Sequence, residues 1–548
     1  MVTGQHKNLL VIPLLVVGLA SLTPSLSAKG FLRTQGYDIV DESGKKVLLR
    51  GVGLGNWLLP EGYMWKFGDE GDRPRKIEKI VSDLIGTEKA NEFWKAFRQH
   101  YISEADIQRI KELGFNSVRP ALNARRFLTE GDDPVYVEEG FTLLDNLIDW
   151  CRKHDLYVII DMHGAPGGQT GANIDDSPQD LPELFMDVKN QDRLVDLWVK
   201  IAQRYKDEPT VAAYDLLNEP LPQRTGAAEK YKHLVEPLYR RITAAIRKVD
   251  SRHMITLEGV DWSNDWSIFS EPFDDNVFYQ FHYYCWNRPD HLNDISRFIS
   301  QRERLNTPIW VGETGEKNNA IYWATTQYFE AHNIGWSFWP WKKMDTTNTP
   351  YSIHKPDEWD QIVAYSRGQG KPTRDEAEQA FEQLLENIKL DRCVFYPDVV
   401  NAIFRRIPGK VEAENYGHRG LGQSYWVRNK EAKARQYRTN DPVTIEPVDE
   451  GNGSRSSGQC IKLLAGEWTS YEVNSLQIRT YAISVRVKAL AFPANFTLGW
   501  NQQVHECIAK ENQWHTLTLK QLAALSGSNR LKLTVTSGTL CIDWLQFE

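Results

Sequence analysis

Residues 211–220 read VAAYDLLNEP. The hydrophobic run reads as a buried strand, and it stops at Asn218-Glu219-Pro220, an amide and a carboxylate pinned by a proline. Seven more runs of this kind lie between Val47 and Lys342: VLLRGVGLG, FNSVRPAL, LYVIIDMHG, MITLEGV, NVFYQFHYY, PIWVGETG and IGWSFWPW. They are rich in Val, Ile, Leu and aromatics and are bounded by turn residues. Helical-period stretches such as EADIQRIKELG (104–114) and FTLLDNLIDWCRKHD (141–155) separate most of them. Near-continuous apolar strands alternating with helices predict a parallel sheet. Eight of them over about 300 residues predict a (β/α)8 TIM barrel.

The strands of such a barrel present their C-terminal ends to one shared face. Six of the runs end in polar or aromatic groups: Arg119, His163, Asn218 with Glu219, His282 with Tyr284, Glu313, and Trp339 with Trp341. Unpaired burial of an ionisable group is costly, and here the groups can partner one another across the barrel mouth. Glu219 ends the fourth strand and Glu313 the seventh, so they face each other. Glycoside hydrolysis uses such a pair. One carboxylic acid protonates the leaving oxygen and the other attacks the anomeric carbon, with the carboxyls about 5–5.5 Å apart in retaining enzymes. The two environments must push the pKa values apart. Arg119 is placed to keep Glu313 ionised, and Asn218 to hold the sugar 2-hydroxyl. Glu258, at the end of MITLEGV, reads as a supporting group, and Asp161 as structural. Ion pairing alone, satisfied core histidines at His163 and His282, or a core Trp339 are the plain alternatives; the full constellation outweighs them. A metal-dependent barrel hydrolase usually carries His-x-His on its first strand, and GVGLGN has none. No metal and no organic cofactor are therefore expected for catalysis.

On these residues the chain resembles glycoside hydrolase family 5, over about residues 40–345. The resemblance implies Glu219 as acid/base and Glu313 as nucleophile. It implies Arg119, His163, Asn218, His282, Tyr284 and Trp339 as the shell around the sugar at the cleavage site. DMHGAPGGQTG (161–171), RGVGLGNWLLPEGY (50–63) and FWKAFRQHYISEADIQRIKELGFNSVR (93–119) look like the exo-β-1,3-glucanase branch of the family. On that match Glu61 would hydrogen-bond the terminal sugar. The chain departs from the branch at Thr314, where a Trp usually follows the nucleophile. It departs again at Ala172 and Asn287, where a pair of phenylalanines clamps the next sugar; Trp286 lies beside the second. The machinery carries over, and the β-1,3-exo specificity does not.

Residues 370–406 read as helical and charged, and RRIPGK (405–410) as a linker, with residues 407–410 joining two domains. After Val411 short alternating runs appear, such as YEVNSLQIRTYAISVRVKAL and RLKLTVTSG, which predict an all-β jelly-roll sandwich over residues 411–548. KVEAENYG at its start and CIDWLQF at its end resemble carbohydrate-binding module family 6. That resemblance implies a structural Ca2+ held by Glu412, Glu414 and Asp543, oxygen ligands that suit a hard cation. The family's sugar-contacting asparagine falls here on Cys541, and Trp514 is either a stacking platform or core. The domain is accordingly a glycan binder or a rigid accessory domain packed on the barrel.

The chain has 548 residues, a net charge of -8 and 41% hydrophobic residues. It is long enough for two domains. No long basic run is present, which disfavours nucleic acid. Nineteen Trp give a weak hint toward carbohydrate. At the N-terminus, Lys7, an apolar run from Leu9 to about Leu22 interrupted by Pro13, and small residues at Ser25, Ser27 and Ala28 resemble a secretory signal peptide over residues 1–28. A membrane anchor is the alternative. The barrel domain then covers residues 29–406 of a secreted, periplasmic or cell-surface protein, expected to be monomeric and off the membrane after signal cleavage. Six Cys, three in each half, permit at most one intradomain disulfide per half. The reading is a secreted retaining β-glycosidase acting on a polysaccharide or oligosaccharide, with β-glucan first and mannan or arabinoxylan side chains as alternatives. A lectin that keeps the barrel, and a transglycosylase, are the rival classes.

Overall fold

The computed structural model describes residues 1, 30–68, 71–285, 292, 294–431, 437–450 and 455–548. The segment read as a signal peptide and the positions Trp286 and Asn287 lie outside the described residues. Eight parallel strands close into a barrel: β1 (Arg50–Leu54), β2 (Ser117–Asn123), β3 (Tyr157–Gly164), β4 (Val211–Asp215), β5 (Met254–Glu258), β6 (Val277–Tyr283), β7 (Ile309–Gly315) and β8 (Gly335–Trp339). Each pairs with the next, and β8 closes on β1 with Trp336 opposite Arg50. Every residue of β2 and of β4 to β8 is buried. Helices cover the outside of a sheet of this kind, which is why the strands are apolar on both faces.

The lower half of the barrel is packed with Ile159, Ala213, Phe278 and Trp310, and a hairpin bearing Leu32 and Ile39 joins this cluster. Polar side chains are thereby left to the upper half. Space there is tight: a Cβ on Gly312 would collide with the Gln280 side chain and stand 2.9 Å from His282 Nε2. Only glycine fits beside Glu313. The helix Arg374–Asn387 falls within the stretch read as helical, and Thr373 and Glu376 start it with a capping box, Thr373 N donating to Glu376 Oε2 at 2.8 Å. The abundant tryptophans serve the interior. Trp57, Trp65, Trp198, Trp310, Trp336, Trp341, Trp359 and Trp500 are all below 2% exposed. Trp341, read as a barrel-mouth residue, instead donates its Nε1 to Asp106 at 2.9 Å.

The C-terminal part is a sandwich-like, antiparallel sheet system of nine strands. Its two long strands, Arg479–Trp500 and Gly527–Phe547, run side by side and pair with different partners along their length. Alternation is clean, with Tyr481, Ile483, Val485, Val487 and Ala489 buried between more exposed neighbours. Gly409–Glu412 is itself a strand, Gly409 opposite Phe547, so residues 409–410 of the expected linker belong to the sheet. The domain sits against the barrel: Asn415 Nδ2 donates to the Ala320 carbonyl at 3.1 Å, Asn474 Nδ2 to that of Phe404 at 2.8 Å, and the His418 and Tyr328 rings stack at 4.5 Å. Trp514 is half-buried beside Val448, Cys460 and Cys541, with Arg486 over its ring at 5.2 Å.

Two of the three carboxylates expected to hold calcium carry a basic partner in this structure. Glu412 accepts from Lys410 at 2.8 Å and Asp543 from Arg486 at 2.6 Å. Glu414 is buried, its Oε2 has no hydrogen-bond partner, and burial followed by the charges of Glu412 and Asp543 pushes its pKa well above the ordinary value. These three do not form a group of converging ligand atoms among the described residues. A raised folded-state pKa means that stability is lost as pH rises from the unfolded value through the folded one. Glu414→Gln should therefore raise the melting temperature at about pH 8, and the gain should vanish near pH 4.5. A melting temperature that rises with added Ca2+ in the native protein and loses that response in the variant would support the calcium reading.

Candidate active site

The polar ends of the strands converge on one buried cation. Arg119, on β2, donates Nε to Asp215 Oδ2 at 2.9 Å, Nη1 to Glu313 Oε1 at 2.7 Å, and Nη2 to Asn218 Oδ1 at 2.8 Å and Glu258 Oε1 at 3.1 Å. Asp161 Oδ2 lies 3.2 Å from Nη1. Arg119, Asp161, Asp215, Asn218 and Glu258 are fully buried. Asp215 takes the consequence of crowding. Burial lifts its pKa, Arg119 opposes, and Glu258 and Asp161 add to the rise, so it is held well above the ordinary value.

Above this floor stand the two glutamates. One carboxylate oxygen of Glu219, one of Glu313 and a ring nitrogen of His282 all lie within 4.8 Å of one another. His282 Nδ1 meets Glu219 Oε1 at 2.6 Å and lies 3.5 Å from Glu313 Oε2; its Nε2 is 3.4 Å from Glu258. Tyr284 donates its hydroxyl to Glu313 Oε2 at 2.8 Å. The two carboxyls are driven apart electrostatically. Burial raises the pKa of Glu219; His282 opposes this and Glu313 reinforces it, leaving it above the ordinary value. Burial acts likewise on Glu313, but His282, Arg119, His163 and the Tyr284 hydrogen bond outweigh it, leaving it below. For His282, burial opposes the imidazolium, and Glu258, Glu313 and Glu219 overcome that and hold its pKa well above the usual value.

A cavity of about 600 Å³ opens over the pair. Of the residues read from the sequence, Glu61, His163, Glu219, His282, Tyr284, Glu313 and Trp339 line it, whereas Arg119 and Asn218 lie in the floor beneath. His163 gives Nδ1 to Asp161 at 2.8 Å and stacks on Trp339 with ring centroids 5.3 Å apart and planes 6° from parallel. Trp339 Nε1 donates to the Tyr63 hydroxyl at 3.0 Å. Glu61 sits on the loop after β1, its backbone N–H on Asn56, with Oε1 lacking a partner. Burial, then Glu313, Glu316 and Glu219, pushes its pKa well up. Buried unpaired polar atoms are costly, so Glu61 suits a hydroxyl brought by a ligand.

Some members were missed in the sequence. Asp215 is one; an acid inside an apolar strand was itself the signal. Gln169 is another: its Nε2 bridges the carbonyls of His163 and Asn218 at 2.7 and 2.9 Å, tying the loops after β3 and β4. Tyr63 and Glu316, the latter accepting from Lys343 at 2.7 Å, complete one wall. Glu258 has the supporting place expected of it and also accepts the backbone N–H of Glu219 at 2.7 Å.

A closed parallel barrel with a carboxylate pair and a hydroxyl-accepting pocket at the strand ends is the construction of a TIM-barrel glycoside hydrolase. Comparison with known proteins agrees. A sequence model described as "Cellulase (glycosyl hydrolase family 5)" matches residues 80–345. The chain is 30% identical over 363 residues to a β-xylosidase of Phanerodontia chrysosporium, covering 59% of this chain and 74% of that one. It is 32% identical over 317 residues to endoglucanase C of Acetivibrio thermocellus (46% and 88% covered). It is 29% identical over 325 residues to a probable glucan 1,3-β-glucosidase A of Aspergillus fumigatus (57% and 74%). The chain belongs to glycosyl hydrolase family 5, and it is a glycoside hydrolase.

Replacing Arg119 with Met removes the cation that four buried carboxylates share. The expected loss is about 3–5 kcal/mol near neutral pH. The carboxylates of the variant fold only protonated, so its stability is present at low pH and lost as pH rises. Urea unfolding at about pH 5 and about pH 8 tests this; equal losses at both would mean that Arg119 acts by packing alone.

Proposed function

We propose that this chain is a secreted, retaining β-glycosidase acting on β-linked oligosaccharides or polysaccharides of glucose or xylose, with Glu219 as acid/base and Glu313 as nucleophile. The observation that carries the reading is the approach of the two carboxylates to within 4.8 Å combined with their opposite proton affinities. That separation suits direct attack on the anomeric carbon and leaves no room for the water an inverting pair holds between its carboxyls. Glu313, ionised by Arg119 and His282, attacks C1; Glu219, protonated, gives its proton to the leaving oxygen. A covalent glycosyl–Glu313 ester results. Glu219, now a carboxylate, then takes a proton from water as that water attacks C1 from the other side, restoring the starting configuration. Tyr284, on Glu313 Oε2, leaves Oε1 and Oε2 unequal partners. Glu61, Tyr63, His163 and Trp339 receive the glycone.

The sugar preference rests on the names of the relatives, one a β-xylosidase and others glucan hydrolases. Glucose and xylose differ only at C5, so one such pocket accommodates either class. Secretion rests on the N-terminal leader pattern alone.

The test takes the mature chain with laminarin, cellulose, mixed-linkage glucan, xylo-oligosaccharides and mannan, and follows the product anomer by NMR. First-formed product of β configuration supports retention; α product overturns it. Glu313→Gln should lower kcat by on the order of 10³-fold or more. The pH profile of kcat/KM should be a bell, its acid limb below the ordinary glutamate value of 4.5 as Glu313 gains a proton, its alkaline limb above it as Glu219 loses one. With a glycosyl fluoride, which needs no proton, Glu219→Gln should lose the alkaline limb. A limb that persists there would remove Glu219 from the acid role.

A further inference from the structure

Glu219 stands on a turn that departs from ordinary backbone geometry. Glu219 and Leu221, on either side of Pro220, have φ of 43° and 51°. Left-handed geometry in residues with a side chain persists only where the surroundings fix it, and it gathers at functional sites. Part of the fixing comes from neighbouring strands and loops. Glu258 Oε2 accepts the Glu219 N–H at 2.7 Å, and the Leu221 carbonyl accepts the Asp261 N–H at 3.2 Å. The Met162 carbonyl takes the Asn218 N–H at 3.1 Å. The rest comes from one residue, Gln169, on the loop after β3.

Gln169 holds the turn on both sides of the acid. Its Nε2 donates to the carbonyl of Asn218, just before Glu219, at 2.9 Å. Its main-chain carbonyl accepts the N–H of Leu221, just beyond Pro220, at 3.2 Å. The amide is anchored in its own loop, with Nε2 also on the His163 carbonyl at 2.7 Å and Oε1 taking the Ala165 N–H at 3.0 Å. Glutamine offers two N–H donors and an oxygen acceptor in one plane, and the fold uses all of them. The loop is itself firm. Gly168 N–H donates to the Ala165 carbonyl at 2.9 Å, and the Gly168 carbonyl accepts the Leu184 N–H at 3.0 Å. Thr170 gives its N–H and its hydroxyl to Asp175 Oδ2 at 2.8 and 2.7 Å. Gln169, Thr170 and Asp175 are fully buried. Among the described residues, no hydrogen bond of Gln169 reaches β7 or Glu313.

We infer that Gln169 is a positioning residue for the acid: it fixes where Glu219 directs its proton, and it acts on departure of the leaving group more than on attack by Glu313. Without the amide, the turn keeps Glu258 and Asp261 but loses its hold on the Asn218 carbonyl, and the left-handed pair is free to relax. An acid must stand within about 2.6–3.2 Å of the oxygen it protonates. A misplacement of about 1 Å costs on the order of 10²-fold in rate. The role rests on the β-glycosidase reading with Glu219 as acid, and adds what keeps that acid in place.

Two substrates separate this role from a merely structural one. A β-glycosyl fluoride departs without a proton; the matching disaccharide needs one. The comparison uses kcat/KM, which reports the steps up to departure, so the later work of Glu219 as a base does not enter. Gln169→Met keeps the length of the side chain and removes its hydrogen bonds. The ratio of kcat/KM for disaccharide over fluoride should fall about 10²-fold in this variant. Gln169→Glu, buried and protonated, returns one donor and the acceptor for Ala165, so its ratio should fall less. If the Met variant does not fold, the Glu variant decides by the same ratio. Equal losses on both substrates would make Gln169 a structural residue only and overturn the inference, and an unchanged ratio would overturn it too. Native protein that turns over neither substrate would sink the β-glycosidase reading. A native enzyme whose ratio survives Glu219→Gln would remove Glu219 from the acid role. The inference about Gln169 falls in either case.

Discussion

One guanidinium, without contact with solvent, is shared among four carboxylates, and the rest of the site follows from that shortage of positive charge. Five acids crowd the upper barrel around Arg119, and His163 and His282 are the other cations they touch. In a buried setting an unpaired ion is far costlier than a proton taken up. The carboxyls therefore cannot all ionise. Glu313 has the richest set of positive partners and keeps its charge; Asp215 and Glu219 are pushed toward the neutral form. An acid and a nucleophile thus arise from one electrostatic arrangement rather than from two separately tuned pockets.

That arrangement is held by backbone under strain. Glu219 and Leu221 have φ of 43° and 51°, and the three residues from Asp261 repeat the pattern across the gap. Left-handed geometry costs roughly 1–2 kcal/mol per residue. It is offset by hydrogen bonds that the strained segments make to each other and to their supports, Glu219 N–H to Glu258 and Asp261 N–H to Leu221 among them. Glu258 both steadies the backbone of the acid and shares Arg119. The position of Glu219 and the charge on Glu313 are thereby linked through a single carboxylate.

The barrel was legible because burial on both faces writes each strand as a continuous apolar run, and the chemistry was legible because Glu219 and Glu313 interrupt such runs at their ends. Depth was not. Arg119 and Asn218 were read as strand-end groups like His163 and Glu313, yet Arg119 lies within β2, Asn218 just past β4, and both sit under the cavity floor; a strand's periodicity says which face a residue takes, not how far up the barrel it sits. Trp341 follows Trp339 by two, but Pro340 and the bend beyond β8 turn it to Asp106. The tryptophan count pointed to sugar for a different reason than the fold gives, since most of these rings fill the interior. Loop residues such as Gln169 and Tyr63 left no signal in a single sequence, because their meaning comes only from which loops meet.

The C-terminal domain raises the same point at a larger scale. Its sequence, read with residues 407–410 as a linker, left open a glycan binder or a rigid accessory domain packed on the barrel. In the structure its first strand begins at Gly409, within the expected linker, and its loops abut the barrel beyond β6. Asn440 hydrogen-bonds the Asp294 side chain, and Asp294 lines the cavity. His418 stacks on Tyr328, whose hydroxyl meets Asp294 and the Ile295 N–H. His418 is buried there, and that burial, with Arg438 and His332 nearby, depresses its pKa well below the usual value and keeps it neutral. Asp294, in the cavity wall beyond β6, is therefore braced from behind by the sandwich, although every residue lining the cavity belongs to the barrel.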